Sequence, residues 1–406
     1  PIPNPQSPIP NPHFLSLLWI IFLKILFFNF IIIYLIYIMS DSSFPSSYSE
    51  LTLEFLNKTL ENIFKSKILS FKKGKEIESG FTGEVNRILL TFSEKSENLP
   101  KSLILKFQTT NPGINAFVTK IQGYEKEIKI YKLLSSIPDL NIAKVYYSEM
   151  NKEGSKYIMI MEDLNERGLM RPNIEKPFNM KILKLIVEYF SKLQSNFWGP
   201  EKQKDIEWIK NNNFGEYMEE FTLNNFDNKK NFFIANNKDK LTKETIEMIR
   251  SIKIEELFDL ISPSNDRNKN NTTLLHGDPQ CGNLLVNENE DKMVMIDRQY
   301  INIGLGLKDV ILFIGIMLDE NNIKKEDIME LKELYYKSLV KNGVNNYSKE
   351  MFDEDWKNLS KVCLCNIISA SAEENIGDDE EKRKKYGEHI FKAEKRIITF
   401  IQNQNL

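Results

Sequence analysis

Cysteine is scarce in this sequence, with three in 406 residues, at Cys281, Cys363 and Cys365. Three thiols cannot build a disulfide framework, and Cys363-Leu-Cys365 has no second Cys or His pair nearby to complete a zinc site. Structural thiols in a reducing compartment are therefore expected. An excess of charge is lacking as well. Lys and Arg total 54 against 57 Asp and Glu, a net charge of -3, so the chain has no general attraction for nucleic acid or anionic lipid. The partner to look for is a small molecule or a protein. No internal repeat divides the chain. What is present is length: 406 residues, 41% of them hydrophobic, exceed the size at which one core stops growing, and this predicts a two-lobed or two-domain body.

Residues 1–38 stand apart from the rest. PIPNPQSPIPNP is Pro-rich and expected to be extended. Phe14 to Ile38 is then long and apolar enough to span a bilayer, with Lys24 its one charge. Two readings are open. One is a membrane anchor; the other is translated upstream sequence ahead of an initiator at Met39, where MSDSSFPSS has the look of an ordinary start. Membrane contact is expected only under the first, and a cytoplasmic location otherwise.

The remainder divides by periodicity. Leu53, Leu56, Leu60 and Phe64 recur at helical spacing and predict an amphipathic helix. EIESGFTGEVNRILLTF reads as a strand, a turn at Gly80 to Gly83 and a second strand, with SLILKFQ a third. In that third strand Leu103, Leu105 and Phe107 share one face, which leaves Ile104 and Lys106 on the other. Tyr124 to Leu134 predicts a helix with Glu127 bordering its buried stripe and Lys126 and Lys129 on its solvated side. KYIMIMEDLNERG reads as a buried strand entering a polar turn. Helical periods dominate beyond it, at 180–197, 243–260, 325–341 and 352–402, whereas the Asn/Lys-rich stretches 224–240 and 265–271 read as surface loops or inserts. The expected fold class is α+β and bilobal: after the 1–38 segment, a small β-rich N-lobe over 39–163 and a larger, mostly helical C-lobe over 164–406. The cleft should fall near Met161 to Asn165.

The chemistry concentrates in LLHGDPQCGNLLV, where His276, Asp278 and Asn283 interrupt two apolar runs. The spacing H-x-D-x-x-x-x-N is that of a phosphotransferase catalytic loop, in which the Asp takes the proton of the acceptor hydroxyl and the Asn holds a metal. KMVMIDRQ then sets Asp297 at the end of an apolar strand, as a second metal ligand. Leu284 to Val286 and Met293 to Ile296 should pair as a hairpin holding Asp278, Asn283 and Asp297 on one edge. A transferring phosphoryl group needs charge neutralisation, and hard oxygen ligands suit Mg²⁺. Lys106 would reach the nucleotide phosphates and Glu127 would pair with it. Taken singly each residue has a plain structural reading; their order and placement together point to the site.

At these residues the sequence resembles a family. LLHGDPQCGNLLV, MVMIDRQ and GLGLKDV look like the catalytic-loop and metal motifs of aminoglycoside phosphotransferases and choline kinases. ILKF, GYEKEIKIYKLL and YIMIMEDLNERG are closer to the ecdysteroid kinase-like branch of that superfamily. The resemblance covers about Leu69 to Ile314 and implies a protein-kinase-like fold and phosphorylation of a small-molecule hydroxyl by ATP with Mg²⁺. It further implies that the backbone of Met161, Glu162 and Asp163 holds the adenine, that Gly80, Thr82 and Gly83 cover the phosphates, and that Asp309 braces the catalytic loop. Three departures stand out. The Gly80-Phe-Thr-Gly83 turn is thinner than G-x-G-x-x-G. Arg298 replaces an aromatic after Asp297, and Gln194 replaces a His in SKLQSNFWG.

The main reading is a small-molecule kinase whose acceptor is steroid-like, choline-like or sugar-like. The alternative is a pseudokinase acting as a nucleotide-binding or scaffold protein, which predicts that at least one of these polar residues is lost or cannot reach the site; all are present in the sequence. A protein kinase is disfavoured, because no A-P-E segment follows Asp297 and Gly277 stands where protein kinases carry Arg. The acceptor pocket is expected in the helical lobe, at about 196–260 and 361–386. The acids at 378–381 read as a solvated helix start.

Overall fold

The computed structural model describes residues 44–75, 77, 82–94, 96–173, 177–209, 214–372 and 380–404. The apolar stretch 14–38, Gly80 and the acids at 378–379 lie outside them. Helix α1 (Leu53–Phe64) begins at Thr52, whose hydroxyl accepts from the Phe55 amide and so satisfies one of the open donors of the first turn. It is followed by β1 (Ile68–Lys73), β2 (Gly83–Phe92), β3 (Ser102–Gln108), α2 (Pro112–Lys120), α3 (Gly123–Leu134), β4 (Val145–Met150) and β5 (Tyr157–Glu162). The five strands form one antiparallel sheet in the order β1-β2-β3-β5-β4. Period-two alternation decides its faces. Leu103, Leu105 and Phe107 of β3 join Ile158 and Ile160 of β5 under Leu56 and Leu60 of α1. Ile104 and Lys106 consequently face the other way, toward α3.

The chain then becomes mostly helical. It runs through β6 (Leu169–Met170), α4 (Met180–Ser195), α5 (Phe214–Leu223), α6 (Phe226–Asn236), α7 (Lys243–Ser251) and α8 (Ile254–Ile261). Four short strands follow: β7 (Thr272–Leu275), β8 (Leu284–Asn287), β9 (Met293–Met295) and β10 (Asn302–Leu305). Helices α9 (Leu307–Met317), α10 (Lys325–Lys341), α11 (Lys349–Ser371) and α12 (Glu380–Gln404) end the chain. Strand β7 pairs with β10, and β6, β8 and β9 form a three-stranded sheet. The expected hairpin is present, with Leu284 opposite Met295 and Val286 opposite Met293. A large apolar core lies among the helices, and a separate cluster joins the lobes: Tyr124, Tyr131, Tyr157, Met159 and Met161 pack with Leu285 and Val294 of the hairpin. The fold is α+β with a small antiparallel-sheet lobe and a larger helical one, as the periodicity predicts.

Several local expectations are corrected. The strand that pairs with β2 is Ile68–Lys73, and the segment expected to form a strand just before Gly80 lies largely outside the described residues. Residues 226–236 are a helix, because Phe226, Phe233 and Ile234 bury one side of an otherwise polar segment. The 265–271 stretch is a built turn with Asn268 and Asn271 buried; Asn268 Nδ2 donates to the Leu260 and Ser262 carbonyls. The helical period at 243–260 breaks at Ile252 and Lys253 into two helices. Lys126 is not solvated but buried, and burial lowers its pKa to about 8. All three cysteines are free and buried. Among the described residues no helix is long and apolar enough to cross a membrane.

Candidate active site

Lys106 is placed by strand alternation, and Glu127 by one turn of α3 after the tight start at Gly123. The ammonium lies 2.6 Å from Glu127 Oε1 and 3.4 Å from Asp297 Oδ1, with both Lys106 and Glu127 buried. Burial alone would lower the Lys106 pKa, but Asp297 and then Glu127 outweigh it and hold the ammonium well above its ordinary value. Such partners offset the cost of burying the cation. The second Glu127 oxygen accepts from Gln299 Nε2 at 3.2 Å and from the Tyr157 hydroxyl at 3.4 Å. Tyr124 stacks on Tyr157 at 4.3 Å and its hydroxyl donates to the Thr82 carbonyl at 3.1 Å, which ties the entry to β2 to α3.

The His276-Gly277-Asp278 segment follows β7. Gly277 has φ +83, and a Cβ there would stand 2.0 Å from the Tyr300 carbonyl oxygen. That approach explains why a glycine occupies the place held by arginine in protein kinases. Asp309, at the start of α9, accepts from the His276 amide at 2.7 Å and the Gly277 amide at 3.2 Å. Gln194 of α4 donates to Asp309 Oδ2 at 3.4 Å and to the Gly306 carbonyl at 2.9 Å, so the glutamine supports the brace from behind. His276 is buried with Nε2 3.1 Å from the Ile296 carbonyl, an acceptor only, so Nε2 carries the proton. Burial, then the nearby Arg298 charge, lowers its pKa to about 3, and the ring is neutral. Its role is structural: it pins the loop to the segment before Asp297.

Asp278 Oδ2 accepts from Asn283 Nδ2 at 2.8 Å and Gln280 Nε2 at 2.9 Å. Burial raises its pKa to about 6. Asn283 also donates from Nδ2 to the Asp278 carbonyl at 3.0 Å, so its amide nitrogen is spent on Asp278 and its oxygen turns elsewhere. The Ile296 amide donates to the Asn283 carbonyl at 2.8 Å, bringing Asp297 beside Asn283. Asp297 has φ +61 and a side chain that retains 21% exposure. Two hard oxygen donors on one edge, one of them anionic, fit a divalent cation of the Mg²⁺ type.

The remaining expected residues are placed as follows. Gly83 opens β2 opposite Gln108, where a Cβ would meet the Phe107 carbonyl at 2.9 Å. Thr82 beside it is buried. Met161 lies in β5 between Ile104 and Val145. In the stretch expected to present its backbone, the Glu162 amide already donates to the Lys144 carbonyl and the Asp163 carbonyl accepts from Glu166. The Asp163 side chain is an anchor: it accepts from Arg87 Nη2 at 3.2 Å and the Ser102 hydroxyl at 2.7 Å. Sequence reasoning passed over Arg87, Gln299, Tyr124 and Tyr157. Only Gln299 had a local signal, as a polar residue two places after Asp297; the others are joined to the site by contacts between residues distant in sequence.

A sheet lobe that holds a buried lysine–glutamate pair, set against a helical lobe with a braced H-G-D loop and a hairpin followed by Asp297, defines a protein of the kinase-like fold class. The model of the ecdysteroid kinase-like family matches residues 78–346, and the chain belongs to that family. No curated protein matches it in sequence. Among solved structures it is similar to the GDP and kanamycin complex of APH(2")-IIia, at 13% identity and TM-score 0.44 over 83% of this chain and 96% of that one. It is similar to an amicoumacin kinase in complex with AMP-PNP and Ca²⁺, at 13% identity and TM-score 0.45 over 78% and 87%. A Plasmodium vivax ethanolamine kinase gives 16% identity and TM-score 0.41 over 80% and 82%. All three are distant.

Proposed function

We propose that the protein transfers the γ-phosphoryl group of ATP to a hydroxyl of a small molecule. One observation carries this: Lys106, Glu127, Asp278, Asn283 and Asp297 form a continuous set. Lys106 lies at 2.6 and 3.4 Å from the carboxylates of Glu127 and Asp297, and Asn283 bonds Asp278 through its side chain and Ile296, the residue before Asp297, through its backbone. In this reading residues 39–163 bind the nucleotide and 164–406 supply the catalytic loop and the acceptor pocket. Ile104, Met161, Leu285 and Ile296, grouped in the apolar cluster between the lobes, offer walls for a flat base. The Glu162 to Asp163 turn flanks it, and Thr82 and Gly83 are assigned to the phosphate end; Gly80, expected with them, lies outside the described residues. Lys106, kept in place by Glu127, neutralises phosphate charge.

Asn283 and Asp297 hold Mg²⁺, which when bound offsets the negative charge of the phosphates. Asp278 accepts the acceptor's hydroxyl proton as the new oxygen–phosphorus bond forms and the bond to the leaving ADP breaks. Such base assistance is worth roughly 10² to 10⁴ in rate. The helical lobe carries an open hollow of about 860 Å³ along α5, lined by Glu216, Tyr217, Glu219 and Phe221 among others, in the range where the acceptor is expected. The test compares Asp278→Ala with wild type. Nucleotide affinity should change little while product formation falls by about 10² or more; equal product formation would place the base elsewhere.

A further inference from the structure

Arg298 is the anomaly of the site. It has no exposed surface, and among the described residues it joins no ion pair. Its protein partners are neutral: Nη2 donates to the Tyr189 hydroxyl and to the Met295 carbonyl at 3.3 Å. Nε and Nη1 meet no acceptor among the described residues. A buried guanidinium without a counter-charge is among the most destabilising groups a core can hold, and an apolar side chain of similar volume would serve packing better.

The burden falls one residue from Asp297, whose left-handed backbone at φ +61 is itself unfavourable for a non-glycine residue. Both sides of that turn are fastened. Ahead of it, Ile296 is held by the Asn283 carbonyl at 2.8 Å and by His276 at 3.1 Å. Behind it, Gln299 reaches the sheet lobe through Glu127 at 3.2 Å, and Arg298 reaches α4 of the helical lobe through Tyr189. A phenyl ring at 298 would give the turn no directional bond.

We infer that Arg298 is a positioning residue for Asp297: its guanidinium Nη2 fastens the left-handed turn to Tyr189 and Met295 and so fixes the direction in which the Asp297 carboxylate meets a divalent cation. The inference rests on the reading that Asp297 binds the cation that accompanies the nucleotide. Support of a ligand's orientation by a neighbouring group commonly changes metal affinity by about ten- to a hundredfold.

The experiment uses the full chain and three variants, Arg298→Met, Arg298→Lys and Tyr189→Phe. Tm is measured without ligand, and ATP affinity is measured by calorimetry over a range of Mg²⁺ concentrations. Arg298→Met should keep or raise Tm, because it removes an uncompensated buried charge, while the Mg²⁺ concentration for half-maximal ATP binding rises about tenfold or more. Tyr189→Phe should shift the Mg²⁺ response in the same direction by less, and decides the matter if Arg298→Met does not fold. Arg298→Lys, whose shorter side chain ends before the Nη2 position, should not restore the response. A wild-type Mg²⁺ response in the folded variants overturns the inference, as does a fall in Tm without a Mg²⁺ shift or full restoration by lysine. If ATP binding by the wild-type chain is indifferent to Mg²⁺, the underlying reading of Asp297 fails instead.

Discussion

Asp278 shows what burial does to a single carboxyl. Its pKa rises from an ordinary 3.8 to about 6, chiefly because the charged form loses water and secondarily because Asp297 is near. As a base it works only when ionised, so transfer should fall about tenfold per pH unit below about 6, whereas an unshifted Asp would hold its rate to about pH 4. A pH-rate profile flat down to pH 4.5 would contradict the assignment. The stability sign runs the other way. A raised carboxyl pKa means the folded state binds the proton more tightly, so the stabilisation from this group is complete below about pH 4 and lost as pH rises through about 6. Asp278→Asn should therefore leave Tm at pH 8 unchanged or higher although activity is lost. A marked drop in Tm would mean that the carboxylate holds the loop together. At this scale Asp278, Asn283 and Asp297 were legible because their spacing is local, and Lys106 because β3 alternates. Lys126 was not: a lysine one place from the helix stripe reads as solvated, and its burial depends on what packs against α3.

At the scale of elements, the junction after β7 is the most constrained. Gly277 combines φ +83 with a Cβ position 2.0 Å from the Tyr300 oxygen, so even a methyl group must displace the segment beyond Asp297. Gly277→Ala should destabilise by about 2 kcal/mol or more, from left-handed strain together with the clash, as read by urea unfolding. A cost near zero would show that the turn relaxes freely. The hairpin β8–β9 was legible because both strands are short apolar runs with a polar turn between them. Helix α6 was hidden by composition: its Asn and Lys residues mask the spacing of Phe226, Phe233 and Ile234, which matters only once the helical core is present to receive them. The pairing of β7 with β10 joins residues about 30 apart and left no mark in either strand.

Across the whole molecule, two lobes meet at an apolar cluster in which Tyr157 and Met161 of the sheet pack with Leu285 and Val294 of the hairpin. The lobes also meet at polar contacts, Lys106 with Asp297 and Gln299 with Glu127 among them. This arrangement puts the lysine of one lobe opposite the acids of the other, the geometry a bound nucleotide phosphate requires. The bilobal plan was legible from the shift between strand and helical periods, but the contacts that join the lobes depend on packing between distant segments. The most direct test of the phosphotransfer account supplies the chain with Mg²⁺ and ATP labelled with ¹⁸O in the γ-phosphoryl group, then screens a pool of small hydroxylated metabolites by mass spectrometry. The account predicts at least one metabolite gaining a single labelled phosphoryl group with wild type and none with Asp278→Ala. Tight MgATP binding with no labelled product, across pools spanning steroid, amino-alcohol and sugar hydroxyls, would contradict it.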